Sequence, residues 1–324
     1  MTARQGTVLR CYGPGQQLKA EEIELTAGPG ESLVEIEVAA VTALDRTVLA
    51  GKLAQQMQPP FVPGSEGAGV VLSSETFAAG TRVVIRGGGV GVSRPGTWGR
   101  LAVVPDVSVH PLPDGMDATA AVGMLAPALT AHTAVRRVGQ IVADETVVVT
   151  GATGLLGRLC IAVARSAGAA KVIGLARAGE YVEVLNGLVD QIVRVDELGQ
   201  VGRELPWCDA AIDTVGGPVT SGVMSHITPG GRAVILGYTA GEFATLDLHQ
   251  LIGRDLRVLP VNMQRTTIEP GTVEQVLADI APADLRPNVE LVPAPDVEDA
   301  LDLLAGGNAD LRVLLDLTTL RGSG

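Results

Sequence analysis

Aromatic side chains are scarce in this 324-residue sequence: three Phe, three Tyr and two Trp make up 2% of it. A binding pocket therefore has few rings to draw on, and Phe61, Trp98, Tyr238 and Phe243 are the ones near candidate loops. Cysteine is equally sparse. Cys11, Cys160 and Cys208 lie far apart beside apolar residues, which suits reduced core thiols in the cytoplasm and leaves no disulfide framework. A basic excess is also missing. The 24 Lys and Arg face 36 Asp and Glu, a formal charge of −12, whereas nucleic acid and anionic membranes both reward a basic face. No apolar run approaches the length of a membrane span, and no N-terminal apolar segment has the form of a signal peptide. Internal repeats, heptads and low-complexity tracts are absent.

Apolar material is plentiful: 46% of residues are hydrophobic and 19% charged, enough to bury sheets in two domains. In the first third, strand-like runs (Leu33 to Ala39, Val62 to Leu72, Thr81 to Ile85, Leu101 to Val104) alternate with turns such as Gly87-Gly88-Gly89 and Pro95-Gly96. From about Ala120, helical and strand patterns alternate, the signature of a parallel sheet of about six strands that ends with Leu256 to Val261. The C-terminal stretch, jointed by Pro282, Pro287, Pro293 and Pro295, returns to a mixed pattern and is expected to pack back on the first domain. The expected division is an α/β domain over residues 123–262 inserted in a β-rich domain of residues 1–122 plus 263–324.

The most informative stretch is Val147-Val148-Val149-Thr150-Gly151-Ala152-Thr153-Gly154-Leu155-Leu156-Gly157. An all-apolar strand runs into a small-residue turn and on into a helix, whose N–H groups and dipole suit a dinucleotide pyrophosphate. Gly154 lets phosphates approach the backbone, and Gly157 lets the helix lie tight on the sheet. Ala152 stands where G-x-G-x-x-G has its first glycine. The helix, Leu155 to Ala167, ends at Gly168, and a second apolar strand, Lys171 to Leu175, completes a βαβ unit. An NAD site usually places an acid at the tip of that strand, on the ribose 2′-hydroxyl. This sequence reads Leu175-Ala176-Arg177-Ala178-Gly179-Glu180, so Arg177 offers a planar fork to the 2′-phosphate of NADPH. Arg194, ending the next strand, could reach the same phosphate, while Glu180 opposes it. The alternative for each arginine is a solvated surface residue.

A wider set of segments carries a family resemblance: Val34 to Val41, Asp45, Pro63-Gly64-Ser65-Glu66-Gly67-Ala68-Gly69-Val70-Val71, Gly80-Thr81-Arg82-Val83, Thr130-Ala131, the glycine turn, Asp213-Thr214-Val215-Gly216-Gly217 and Gly230-Gly231-Arg232. In order and spacing the chain resembles a zinc-independent medium-chain dehydrogenase/reductase of the quinone oxidoreductase type. The resemblance implies a Rossmann doubly wound parallel sheet inserted in a β-rich GroES-like domain, with the active site in the cleft between them. It also implies NADPH as hydride donor, frequent dimers, and reduction of quinones or of the C=C bond of α,β-unsaturated carbonyls. The zinc branch carries Gly-His-Glu where this chain has Gly64-Ser65-Glu66, and a ligating Cys where it has Ala43, so soft or imidazole donors are missing.

Relatives of this type commonly place Asn and Tyr beside the nicotinamide, and here these positions fall on Thr42 and Leu53. Leu53 can neither donate a proton nor orient a carbonyl, so it becomes a pocket residue. Lys52 could snorkel toward a substrate or remain on the surface. Thr130 matches a family threonine near the nicotinamide, with back-bonding to its own helix as the alternative. Gly237 and Tyr238 lie at a strand's carboxyl edge, where open α/β sheets bind ligands. The cofactor set is thus Thr130, Ala152, Thr153, Gly154, Leu155, Leu156, Gly157, Arg177, Arg194, Gly237 and Tyr238, and the catalytic set Thr42, Leu53 and Thr130. Asp45 and Glu66 read as an acid/base pair or, more simply, as carboxylates that bond backbone N–H groups. Among the histidines only His132, which follows Thr130-Ala131, is a candidate to face the cleft. Two other functions stay open: a nicotinamide-binding sensor or scaffold with little turnover, and a biosynthetic ketone reductase or cyclase.

Overall fold

The computed structural model describes residues 3–53, 58–196, 201–202, 204–283, 285–306 and 311–321. In chain order it forms β1 (Arg4–Arg10), β2 (Lys19–Leu25), β3 (Glu31–Ala40), α1 (Ala43–Leu49), β4 (Glu66–Ser73), β5 (Arg82–Arg86), β6 (Leu101–Pro105), β7 (Val109–Pro111) and α2 (Ala118–His132). Next come β8 (Thr146–Val149), α3 (Leu155–Ser166), β9 (Lys171–Arg177), β10 (Gln191–Val195), β11 (Cys208–Asp213), α4 (Gly217–Met224), β12 (Ile227–Ile235), α5 (Leu248–Gly253), β13 (Arg257–Pro260) and α6 (Thr272–Ile280). The chain closes with β14 (Asn288–Pro293), α7 (Val297–Ala305) and β15 (Leu311–Asp316).

Residues 1–125 and 286–324 make one unit, 126–285 the other. In the first, seven strands run β14-β15-β3-β4-β5-β7 with β6 on β3, and β1 and β2 pair separately. Val34, Ile36, Val71, Val83, Ile85 and Val104 alternate inward from these strands and bury one apolar core. Trp98 is fully buried in it and donates Nε1–H to the Ala40 carbonyl at 3.0 Å, which satisfies the indole's polar atom. The expected strand from Val62 begins only at Glu66, since Pro63 has no N–H to give a ladder.

The second unit is a six-stranded parallel sheet in the order β10-β9-β8-β11-β12-β13, the doubly wound arrangement with β8 at its centre. β8 is buried on both faces, which explains why Val147, Val148 and Val149 show no alternation. Helices do not alternate with strands throughout, because β9 reaches β10 through a short helical turn at Glu183–Leu185. At the start of the sheet, Arg232 on β12 is buried and forks onto both Glu145 oxygens at 2.7 Å, with further bonds to the carbonyls of Gly139 and Gln140.

Two sequence expectations need correction. Residues 263–285 stay with the parallel-sheet unit, and the first boundary falls inside α2, after Leu125. The cause is Asp279 on α6. It accepts both Arg136 nitrogens at 2.9 Å, Ser166 Oγ at 2.7 Å and Gln275 Nε2 at 2.9 Å, and His132 Nδ1 lies 3.4 Å away, so α6 is tied to α3 and to the end of α2. An apolar helix of membrane-span length also exists. α2 continues through a wider π-helical turn to Val138, 21 residues with mean hydropathy 1.3 in its most apolar window, because Pro127 does not end it. Since 83% of that window is buried inside the protein, it is a core helix.

Burial alone would raise the Asp279 carboxyl, but the bonds from His132, Arg136, Ser166 and Gln275 outweigh it and hold it far below the usual carboxylate range. A depressed folded-state pKa contributes stability that is complete above the unfolded value of about 4 and fades as pH falls below it. Asp279→Asn should lower stability by roughly 1–3 kcal/mol at neutral pH. Urea unfolding of both proteins between neutral and acid pH should show this gap shrinking once pH drops below about 4.

Candidate functional site

The turn after β8 is held by backbone bonds. Ala152 N–H donates to the Leu175 carbonyl at 3.0 Å and Gly154 N–H to the Gly151 carbonyl at 3.1 Å. Gly154 is the N-cap of α3 and supplies no capping side chain, so the first-turn N–H groups of Leu155, Leu156 and Gly157 receive no cap from it. A Cβ on Gly157 would lie 2.2 Å from the Gly151 carbonyl oxygen, so only glycine lets α3 start this close to the turn. Ala152 is accommodated opposite Gly174 on β9, where a Cβ would stand 3.0 Å from the Ala152 methyl. The methyl that departs from the glycine motif thus has its space provided by a glycine on the next strand.

Asp213, at the end of β11, organises the neighbouring strand ends. Its Oδ1 accepts from Thr150 Oγ1 at 2.7 Å, Gly216 N at 3.0 Å and Val215 N at 3.1 Å, and its Oδ2 accepts from Thr220 Oγ1. Thr150 Oγ1 accepts in turn from Thr214 N at 3.0 Å. Beside this network lies a pocket of about 410 Å³ whose lining includes Gly151, Leu175, Arg177, Glu180, Val215 and Thr239.

At the tip of β9, Glu180 folds back on the turn. Its Oε2 accepts from Thr153 Oγ1 at 2.8 Å and from Arg177 N at 3.1 Å, while its Oε1 lies 3.8 Å from Arg177 Nε. Arg194 Nη1 donates at 3.2 Å to the carbonyls of both Arg177 and Glu180. Both arginines and Glu180 therefore sit at one corner, with the Arg177 side chain 67% exposed.

Of the remaining site residues, Thr130 donates its hydroxyl to the Ala126 carbonyl at 3.1 Å, the helix back-bond anticipated as its alternative. Gly237 and Tyr238 follow β12. Tyr238 is largely exposed, and it is Thr239 and Ala240 that line the pocket. His132 is buried on Asp279 and has no free ring nitrogen on that side to offer a ligand.

In the other unit, Thr42 is the N-cap of α1. It donates Oγ1–H to Asp45 Oδ2 at 2.5 Å and accepts from Asp45 N at 3.3 Å, while Asp45 Oδ2 also takes Thr42 N at 2.8 Å, a capping box. Asp45 Oδ1 accepts from Ser65 N at 3.0 Å. Burial pushes the Asp45 carboxyl up, against the lowering effect of these bonds. Glu66 pairs with Arg86, whose guanidinium burial brings down to about 10, opposed by the Asp45 charge. Asp45 and Glu66 are thus engaged with backbone and a cation. Leu53 packs against Cys11, Val48 and Phe61, and Lys52 is exposed. Among the described residues, no group of three or more His, Cys, Asp or Glu is placed to hold a metal ion.

The Asp213 network and the pocket-lining Val215, Pro218, Val219, Thr239 and Ala240 escaped sequence reasoning. Only the Asp213-Thr214-Val215-Gly216-Gly217 run signalled them, as a family segment without a role.

Residues 28–114 match the alcohol dehydrogenase GroES-like domain family, and residues 156–281 the family described as zinc-binding dehydrogenase. A putative quinone oxidoreductase, YhfP of Bacillus subtilis, is 28% identical over 275 residues, covering 81% of this chain and 82% of that protein. The acrylyl-CoA reductase AcuI of Ruegeria pomeroyi is 26% identical over 315 residues, 93% of this chain and 94% of that one. Among solved structures, the yhdH oxidoreductase of Salmonella enterica in complex with NADP shares the fold, with a TM-score of 0.65 at 24% identity over 97% of this chain and 99% of that one. Fold, glycine turn and sequence relatives agree: the chain belongs to the medium-chain dehydrogenase/reductase family of oxidoreductases, a GroES-like domain interrupted by a Rossmann sheet.

Proposed function

We propose that this oxidoreductase uses NADPH to reduce a quinone or the C=C bond of an α,β-unsaturated carbonyl, without zinc. The observation that carries the cofactor reading is the uncapped start of α3 with Arg177 and Arg194 at the adjoining strand tips. The acceptor reading draws on relatives named quinone oxidoreductase and acrylyl-CoA reductase. NADPH supplies the hydride. The N–H groups of Leu155, Leu156 and Gly157 bind the pyrophosphate over the turn formed by Ala152, Thr153 and Gly154, and the two arginines take the 2′-phosphate. Thr130, Gly237 and Tyr238 flank the nicotinamide end. Thr42 lines the site with a hydroxyl whose proton is already given to Asp45, so it donates nothing to the substrate carbonyl. Leu53 contributes apolar surface and no acid, and the proton that completes reduction comes from water.

Donor chemistry favours a zinc-free site, since Ala43 and Ser65 replace the ligand positions of the zinc branch. Without a Lewis acid, conjugate hydride addition stays feasible because the acceptor's own carbonyl delocalises the charge. Buried thiols at Cys11, Cys160 and Cys208 suit a reducing cytoplasm. A homodimer is the assembly we infer. β13 pairs only with β12 among the described strands, and Val258 on it and Ile252 on α5 are 37% and 79% exposed.

In steady-state kinetics Arg177→Ala should raise KM for NADPH roughly tenfold, as loss of a charge-assisted contact to phosphate would, and leave KM for NADH within about twofold. An unchanged preference would sink the cofactor assignment. A panel of quinones and enones should accelerate NADPH oxidation. If NADPH quenches the exposed Trp207 but no member of the panel is turned over, the nicotinamide-binding reading replaces the reductase. Light scattering should show a dimer that Val258→Lys converts to monomer. An unaltered mass would exclude the β13 edge as the interface.

A further inference from the structure

The corner that would receive the 2′-phosphate already holds an anion of the chain's own. Glu180 Oε2 is bonded to Thr153 Oγ1 at 2.8 Å and to Arg177 N at 3.1 Å, and Oε1 lies 3.8 Å from Arg177 Nε. Its side chain is 30% exposed and lines the same pocket as Arg177. The segment between them turns through Gly179 at φ +84°, so the chain doubles back within three residues and delivers the carboxylate to the strand tip. Arg194 then fastens the doubled-back backbone by its two carbonyl contacts. One carboxylate thus stands beside the Arg177 guanidinium, with Arg194 fastened to the same turn, at the corner read above as the 2′-phosphate site.

We propose that Glu180 is a tethered competitor of the 2′-phosphate and sets how strongly this protein distinguishes NADPH from NADH. This inference rests on the dinucleotide reading above. A 2′-phosphate near Arg177 meets a like charge, and it either displaces Glu180 from Thr153 and Arg177 N or binds against its repulsion. A ribose 2′-hydroxyl meets no such conflict, because a carboxylate can accept its proton. Arg177 therefore favours NADPH, Glu180 narrows that preference, and the wild-type protein discriminates less than its two arginines would allow.

Removal of charge can be separated from removal of the tether. Gln at this position retains an oxygen for Thr153 Oγ1 and Arg177 N but carries no charge, whereas Ala loses both. Calorimetry of the whole protein with 2′,5′-ADP and 5′-AMP reads the corner without turnover. Glu180→Gln should tighten 2′,5′-ADP about tenfold, equivalent to about 1.4 kcal/mol, and leave 5′-AMP within about twofold. Glu180→Ala should also gain for 2′,5′-ADP relative to 5′-AMP. If Glu180→Gln leaves 2′,5′-ADP unchanged, or both variants weaken the two ligands equally, the carboxylate is a structural brace and the proposal is overturned, while the dinucleotide reading survives. A wild-type protein that binds neither fragment overturns both.

Discussion

The candidate cofactor site depends on a single buried carboxylate, Asp213. A parallel sheet ends each strand with carbonyls and N–H groups that no neighbour continues to pair, and these must be satisfied before a pocket can open there. Asp213 gathers Thr150 from the end of β8, Thr220 from α4, and the N–H groups of Val215 and Gly216. The ends of β8 and β11 are thereby locked side by side. The glycine turn leaves β8 from a fixed origin, and the pocket wall formed by Val215, Pro218 and Val219 begins where the network ends.

The same economy of charge recurs in the other unit. Asp45 closes the N-terminus of α1 and also receives the Ser65 N–H, so the segment that carries Thr42 and the one that carries Ser65 are set by one side chain. Its desolvation is countered by hydroxyl and amide donors and by the nearby Arg86, which Glu66 in turn pairs. These carboxylates build the backbone around the residues at the usual ligand and nicotinamide positions. That leaves Thr42 with an oriented lone pair and Ser65 with a backbone N–H already spent.

Much of this was legible in the chain. The glycine turn announced itself because three requirements of different physical origin coincide there: an unbroken apolar strand, a residue at Gly157 that must lack a Cβ, and a helix phase set by Leu159 and Val163. The presence of Ala43 and Ser65, neither of them a soft or imidazole donor, was equally plain. His132 was not, since its proper partner, Asp279, lies 147 residues away on a helix whose own pattern gives no hint of the pairing. The reach of the α/β unit to Leu285 was hidden for the same reason: a bond between distant charges leaves no period in the sequence.

Sequence alone determined what each local segment can do. It specified the apolar strand, small-residue turn and helix of one βαβ unit, the presence of Arg177 and the lack of a tyrosine at Leu53, because these follow from residue chemistry and short-range periodicity. Tertiary structure decided how the charged groups are spent. Glu180 is three residues from Arg177 and reads as a bystander, yet the reversal at Gly179 brings its carboxylate onto the strand tip and Thr153. Side chains with several possible partners take the ones that folding brings within hydrogen-bond reach, and that distance is set by the packing of strands far apart in the chain.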